Sequence, residues 1–179
     1  MSVTTPGSRT SHVSFERERG VYALQIQRDV ARAVISIGDD AQRSQRILQV
    51  FRVLAEADVP VFLIKMHRTA VTLAFADANQ TKAVAALDAA GLKAETQSDL
   101  ALVFVRAASM RDLHGVMVAI ADALFAAGAR LYETGDSHNS VQCLIEGSRT
   151  EEAVSQLCAT FHLDAGTVQF GSVNGEAAP

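Results

Sequence analysis

Two polar loops, 70 positions apart in the chain, contain the residues whose types are best suited to hold a small ligand. Each loop lies between a short β-branched run and a stretch with helical spacing. The first N–H groups of a helix have no partner within the helix, and together with the helix dipole they favour a bound carboxylate. The ligand-binding candidates are Asp39, Asp40, Arg43 and Ser44 in the first loop, and Ser109, Met110, Arg111, Asp112, His114 and Gly115 in the second.

Both loops also have a structural interpretation, in which their polar side chains only cap a helix or face water. Asp40 or Ser44 suits the N-cap of the following helix, and this interpretation is favoured for the first loop. For the second loop the two interpretations are balanced, because Arg111 offers a partner to a carboxylate. A contact between Glu133 and a ligand amine is also open, whereas we expect Tyr132 to pack in a sheet.

The sequence lacks the motifs of catalysis and metal binding. It has no glycine-rich phosphate loop, no Cys–His pair with local support and no carboxylates clustered at ligand spacing. Cys143 and Cys158 do not form a C-x-x-C motif, so we expect reduced cysteines that pack as small hydrophobic side chains. We therefore expect no catalytic residue, no metal and no cofactor.

The composition excludes two classes of partner. Sixteen basic and twenty acidic residues give a net charge of -4, which is unlike the basic surface that nucleic acid requires. Charged residues interrupt every apolar stretch before it reaches the length of a membrane span. The segment Met1–Ser11 lacks the apolar run of a signal peptide. We expect a cytoplasmic protein that binds neither nucleic acid nor membranes.

An internal repeat organises the two loops. When the chain is shifted by 70 positions, Leu54 falls on Leu124 and Val71 on Val141, and apolar positions match between them. Each copy has the order strand, helix, hairpin, helix, strand. This βαββαβ order predicts an α+β fold of two ferredoxin-like modules in tandem, each an antiparallel sheet with both helices on one face.

The sequence also predicts that the helix-free face of each sheet is covered. In Val61–Ile64 and Leu102–Val105 both alternating sets of side chains are apolar, whereas a sheet with one wet face alternates apolar with polar. Modules of this size are marginally stable alone. We therefore expect the modules to pack side by side or sheet to sheet, and a second chain to complete the assembly as a homodimer.

Many weak matches, spread from Gly20 to Asp164, carry a resemblance to one family. The matching stretches are Gly20-Val21, Ala31–Ile37, Val50–Ala55, Ser109–Arg111, His114–Val116, Ala123-Leu124, Ser137–Ile145, Glu152–Val154 and Phe161–Leu163. Together they resemble the regulatory region of aspartokinases. The resemblance implies a pair of ACT domains, dimerisation through them, and an amino-acid effector such as lysine or threonine at module interfaces.

The resemblance also implies a division of the chain. In aspartokinases the second ACT module takes its last strand from the segment that precedes the first module, which is Val21–Gln27 here. Thr167–Val173 is the other candidate for this strand, but its apolar run is weaker. The expected parts are a flexible segment over 1–19, that strand over 20–29, module 1 over 30–99, module 2 over 100–164 and a C-terminal tail over 165–179.

The chain departs from the family in three respects. The aspartokinase catalytic domain is absent, Ser44-Gln45 replaces the Pro-Gly that opens the first helix of the first module, and Phe62 and Met66 replace the expected effector contacts. Lysine or threonine in the usual geometry is thus poorly supported. We expect an allosteric, amino-acid-binding protein that resembles an aspartokinase regulatory subunit and signals through dimerisation, with a separate kinase or other enzyme as partner. The alternative is a dimeric adaptor without a ligand.

Overall fold

The computed structural model describes residues 20–110 and 114–171. Over these residues the chain forms seven strands and four α-helices. In chain order they are β1 (Val21–Ser36), α1 (Arg43–Glu56), β2 (Val61–Met66), β3 (Ala70–Ala76), α2 (Gln80–Ala89), β4 (Ala94–Ala107), α3 (Val116–Ala126), β5 (Leu131–Asp136), β6 (Ser140–Glu146), α4 (Thr150–Phe161) and β7 (Val168–Gly171). The predicted α+β fold of tandem ferredoxin-like modules is confirmed.

Six strands form one continuous antiparallel sheet in the order β2, β3, β1, β4, β6, β5. The seventh, β7, pairs in parallel with β1 over 24–27. The first half of β1 pairs with the second half of β4, from Val21 opposite Ala107 to Gln27 opposite Leu102. The stretch Val21–Gln27 therefore lies where the last strand of a ferredoxin-like module 2 belongs, and β7 adds a further strand outside it.

The strands β1 and β4 each serve both modules, which differs from the separate short strands that the pattern predicts. Asp29 and Asp99, 70 positions apart, interrupt them with left-handed backbone (φ of 54° and 57°). The pairing of β1 with β4 shifts register next to Asp29, between Gln27 and Val30. Aspartate is one of the few residues that tolerate this conformation, so each long strand changes module at an aspartate without leaving the sheet.

The repeat of 70 extends to individual hydrogen bonds. β2 and β5 begin 70 positions apart, as do β3 and β6. After α1 the N–H of Val59 donates to Leu54 O at 2.9 Å, and after α3 the N–H of Ala129 donates to Leu124 O at 3.0 Å. The two modules are thus built on the same backbone plan, and residues 70 apart can be compared directly.

Each module has its own hydrophobic core between its helices and the sheet. In module 1 the helix α1 buries Val50 and Leu54, which lie one turn apart, against the strand side chains Ile35 and Leu73. In module 2 the corresponding core contains these buried residues: Leu24, Ile26, Val103, Val105, Ile120, Leu124, Val141, Ile145 and Leu157. The N-terminal residues Leu24 and Ile26 therefore belong to the core of the second module.

A third core covers the sheet faces that carry no helices. It consists of Val30, Leu63, Ala74, Leu100, Leu102 and Leu144, with Phe62, Phe104 and Tyr132 partly buried against it. These residues come from strands of both modules, because the sheet curls until β2 approaches β5. The expected packing of one module face on the other is thus observed, and it explains why both alternating sets of strand residues are apolar.

Polar contacts surround the third core. The guanidinium groups of Arg32 and Arg130 both contact the ring of Tyr132, with Cζ 4.7 and 5.0 Å from the ring centroid. Its hydroxyl accepts a hydrogen bond from Gln97 Nε2 at 2.6 Å. Cation–π contacts of this kind contribute about 0.5–1 kcal/mol each at exposed positions. Tyr132 therefore packs on the sheet, as the sequence predicts, and the structure adds that it does so beside the third core, which both modules share.

Cys143 and Cys158 are both free. Cys143 is buried in the core of module 2, and this burial raises the pKa of its thiol to about 12. Cys158 is only partly buried, and burial raises the pKa of its thiol as well. Burial thus disfavours the thiolate form of both cysteines, and the fully buried Cys143 packs as a small apolar side chain. In the part of the chain that the structure describes, no helix is long and apolar enough to cross a membrane.

Candidate functional site

The second candidate loop leaves the end of β4 and is tied to the β5–β6 hairpin. The N–H of Ala107 donates to Asn139 O at 2.9 Å, and the N–H of Met110 donates to His138 O at 2.9 Å. The loop then reaches α3 at Gly115, whose left-handed backbone (φ of 76°) is readily adopted only by residues without a Cβ. The hairpin thus holds Ala107 and Met110 at the start of the loop, and Gly115 lies at its end, before α3.

A groove of about 610 Å³ opens between the loop, the first turn of α3 and the hairpin. This volume is typical of small-molecule sites, which range from about 300 to 1,000 Å³. The groove is lined by Met110, Gly115, Val116, Met117, Val118, Thr134, Gly135, Asp136, Ser137, His138 and Val141. Most of these side chains are apolar, and the polar ones lie on the hairpin.

The structure brings part of the predicted second set to this groove. Met110 and Gly115 line it, whereas Ser109 and His114 precede these two residues without lining it. Arg111 and Asp112 lie outside the described residues. The sequence interpretation missed the hairpin wall and the first turn of α3. No local pattern in the sequence signals the hairpin wall, because its residues reach the groove only through the pairing of β5 with β6.

The first candidate loop is closed by its own side chains. Arg46 Nη2 lies 3.1 Å from Asp40 Oδ2, and Arg46 Nη1 also donates to Ile37 O at 2.7 Å. Arg68 Nε lies 2.6 Å from Asp39 Oδ2. The charges of this loop are thus paired within the chain.

The remaining two residues of the first set differ from each other. Arg43 donates to the hairpin carbonyls, from Nε to Arg68 O at 3.0 Å and from Nη2 to His67 O at 2.9 Å. Ser44 is exposed in the first turn of α1, and no side-chain hydrogen bond caps that helix. Arg43 therefore fastens the loop to the β2–β3 hairpin of its own module.

The repeat explains why module 2 has an open groove at this place. Met110 corresponds to Asp40, and Val116 corresponds to Arg46. The ion pair that bridges the loop and the helix in module 1 is therefore replaced in module 2 by two apolar side chains that line the groove. The two modules share a backbone plan, but the surface at the start of the first helix is charged in module 1 and apolar in module 2.

The ion pair in module 1 lowers the pKa of Asp40. The hydrogen bond from Arg46, followed by that from the Gln42 N–H, holds the pKa of the Asp40 carboxyl below its ordinary value of 3.8. Because the folded pKa is lowered, the contribution of this carboxylate to stability is complete above pH 3.8 and is lost as the pH falls through the folded pKa. In NMR titrations we expect the pKa of Asp40 to rise towards 3.8 in Arg46→Ala; an unchanged pKa would rule out the ion pair as its cause.

Glu133 points away from the groove. Its carboxylate Oε1 lies 3.6 Å from His67 Nε2 on the hairpin of module 1, and its side chain is only 13% exposed. His67 Nε2 also lies 3.1 Å from Thr72 Oγ1. Glu133 thus links the two modules and does not line the groove. Within residues 20–110 and 114–171, no three His, Cys, Asp or Glu side chains are grouped so that they could hold a metal ion.

The fold can be compared with known proteins. No protein-family model matches the chain, and no curated protein matches it in sequence. Solved structures do match in fold. The ligand-free regulatory subunit of aspartate kinase from Thermus thermophilus is 20% identical, with a TM-score of 0.70 over 79% of this chain and 99% of that one. The regulatory subunit from Thermus flavus is 19% identical, with a TM-score of 0.71 and the same coverage.

A complete kinase also matches. Aspartokinase III of E. coli, in complex with lysine and aspartate in the T-state, is 16% identical, with a TM-score of 0.64 over 82% of this chain and 34% of that one. The chain thus corresponds in extent to whole regulatory subunits and to about a third of this kinase. The resemblance seen in the sequence is confirmed at the level of fold: the chain has the fold of the regulatory subunits of aspartate kinase.

Proposed function

We propose that this protein is a regulatory subunit that binds an amino-acid effector in the groove of module 2 and reports it to a separate enzyme. The observation that carries the proposal is the groove itself, which lies between the loop before α3 and the β5–β6 hairpin in a fold shared with aspartate kinase regulatory subunits. The partner enzyme that this likeness favours is an aspartate kinase catalytic subunit.

Two features support an α-amino acid as the ligand. The first turn of α3, whose N–H groups have no partner within the helix, lines one wall and suits a carboxylate. The carboxylate of Asp136 lies on the hairpin wall and suits an ammonium group. Arg111 and Asp112 remain part of the proposed site on the basis of the sequence. The first loop, with Asp39, Asp40, Arg43 and Ser44, is the weaker candidate because its charges are already paired.

Signalling through a homodimer is part of the same proposal. Several large apolar side chains are exposed on α3, including Val118 at 64% and Phe125 at 87%. Val118 and Phe125 lie seven positions apart, on one face of α3, and exposed apolar side chains grouped in this way are typical of interaction sites. Val118 also lines the groove, so a ligand there would lie beside the surface that a second chain is proposed to cover.

A thermal-shift panel of all amino acids tests the proposal. At about 100 times its dissociation constant an effector stabilises the folded state by about 2.7 kcal/mol, which for a protein of this size raises Tm by about 5–10 °C. We expect one amino acid, or a few of similar shape, to give this shift, and Arg111→Ala to reduce it. If no amino acid shifts Tm at millimolar concentration, the effector proposal fails.

A dimeric adaptor without a ligand is the second candidate. The closed loop of module 1 favours it, as do the exposed Ile64 and Met66 on the edge strand β2, where module 2 has the polar groove residues Thr134 and Asp136. An adaptor would bind its enzyme with the same affinity whether or not amino acids are present. Affinity for an aspartate kinase catalytic subunit, measured with and without the amino-acid mixture, separates the two functions.

A further inference from the structure

We propose that a second copy of this chain pairs with the open edge of β4 over Ala94–Gln97 and so continues the sheet across a two-fold axis. None of these residues lines the groove of module 2, so the inference does not depend on the effector. The contact also differs from the one proposed through α3. The sheet topology, the direction of the backbone groups and the charges along the edge carry it.

The repeat shows that this strand edge is covered in one module and open in the other. In module 2, β7 pairs with β1 over Leu24–Gln27. The residues 70 positions later are Ala94–Gln97 on β4, and in the part of the chain that the structure describes they pair only with β1. Ile26 is fully buried, whereas its counterpart Thr96 is exposed. Module 1 thus has an open edge where β7 covers module 2.

The backbone groups of Ala94 and Thr96 point out of this edge. The N–H of Ile37 donates at 2.9 Å to the carbonyl oxygen directly before β3, so the odd-numbered residues at this end of β1 bond to β3. The even-numbered residues then bond to β4, where Val34 lies opposite Glu95. Because neighbouring residues of a strand bond to opposite sides, Ala94 and Thr96 direct their N–H and C=O groups away from β1.

The charges along the edge complement those of a second copy. Lys93, directly before β4, and Glu95 are both exposed, and their spacing of two places both side chains on one face of an extended chain. When Ala94 lies opposite Ala94 of the second copy, each Lys93 lies opposite Glu95 of the other chain. A shift that places the two Glu95 residues opposite each other brings like charges together, which is destabilising. The charge pattern thus favours one antiparallel register.

The edge lacks two of the features that keep natural edge strands unpaired. Prolines and bulges commonly prevent pairing at such edges, but residues 93–97 contain no proline, and the register of Ala94–Gln97 with β1 is continuous. Charged side chains also prevent pairing, but Lys93 and Glu95 attract their counterparts in the register above. Addition of a strand to an open sheet edge is a common mode of association.

Hydrogen exchange, measured residue by residue by NMR at low and at high micromolar concentration of the full chain, tests the edge. We expect the amides of Ala94 and Thr96 to exchange at least about tenfold more slowly at the higher concentration, because the second copy supplies their acceptors. The amide of Glu95 bonds to β1 and is the internal control, for which we expect no change.

Exchange of the two charges tests the register. Lys93→Glu places like charges opposite each other twice, so we expect sedimentation velocity to show a Kd of self-association about tenfold higher. Lys93→Glu with Glu95→Lys restores opposite charges across the contact and should return the Kd to that of the natural chain. The matched control is Lys82→Glu on α2, because Lys82 is exposed and its Nζ donates to Asp58 O, beyond the end of α1. This control should associate like the natural chain.

Three outcomes would overturn the inference. Self-association that leaves the exchange of Ala94 and Thr96 unchanged would assign the contact to another surface, and the proposed homodimer through α3 would stand. Protection of both amides that is independent of concentration and is lost on deletion of residues 1–19 would assign the edge to the N-terminal segment. Equal Kd values for Lys93→Glu and the natural chain would exclude the pairing of Lys93 with Glu95.

Discussion

Replacing Ile26 with alanine is expected to lower the free energy of unfolding by about 2–5 kcal/mol, the usual cost of truncating a fully buried isoleucine. The loss should fall on module 2, although Ile26 precedes all of module 1 in the chain. Its side chain is fully buried in the module 2 core, and its backbone pairs with Val103 on β4 and Phe170 on β7.

Hydrogen exchange read peptide by peptide locates this loss. In Ile26→Ala we expect faster exchange in α3, β6 and α4, and a smaller change in β2 and β3. Phe170→Ala is the matched control, since Phe170 is the strand partner of Ile26 but is 54% exposed, and its contact with Arg28 limits the expected loss to about 1 kcal/mol. Equal protection loss in both modules would contradict a core that Ile26 shares only with module 2.

Leu63→Ala is expected to have the second large effect, again about 2–5 kcal/mol. Leu63 belongs to the third core, where its side chain is only 6% exposed and fills the space beside Gly135 of the other module. The cavity left by alanine would therefore loosen the contact between the modules as well as β2 itself.

Urea denaturation measures the Leu63 effect, with Tyr132 as a local probe. The chain has no tryptophan and two tyrosines, and Tyr132 packs against the third core. Ile64→Ala is the matched control: Ile64 is the neighbouring residue on β2, is 49% exposed and should change stability by no more than about 0.5 kcal/mol. If Leu63→Ala also costs no more than about 0.5 kcal/mol, the third core contributes little to stability.

The sequence predicts the modules because their periodicities are local. The spacing of Val50 and Leu54 on α1, and the matching spacing on α3, reports the buried face of a helix directly. The two-sided apolar character of Val61–Ile64 also predicts that the free sheet face is covered, and the third core covers it. These predictions depend only on residues that are close in sequence, so they can be made without knowledge of the tertiary structure.

Local sequence patterns do not predict that β1 and β4 are each one continuous strand. Asp29 and Asp99 are typical turn residues, and the pattern around them predicts a break between two strands. In the structure each takes a left-handed conformation that shifts the pairing while the strand continues. Local preference alone does not distinguish a turn from a kink in a continuous strand, because the difference depends on partners that lie about 70 residues away.

The candidate site is predicted in part for the same reason. Loop residues such as Met110 and Gly115 precede a helix, and that position is visible in the sequence. The wall from Thr134 to His138 reaches the groove only because β5 and β6 form the far edge of the sheet. The pairing of Arg46 with Asp40 is likewise outside the helical pattern, since a long side chain near a helix start can turn back to the preceding loop.

The path of β1 also sets the order of events during synthesis. Val21–Gln27 leaves the ribosome early, but its antiparallel partners, from Leu102 to Ala107, come about 75 residues later. At roughly 5–20 residues per second this is a wait of about 4 to 15 seconds. During that time module 1 can fold, whereas the apolar side chains of Leu24 and Ile26 have no core to enter. A nascent chain therefore carries one unpaired strand until module 2 is made, and an unpaired strand of this kind can exchange with another copy.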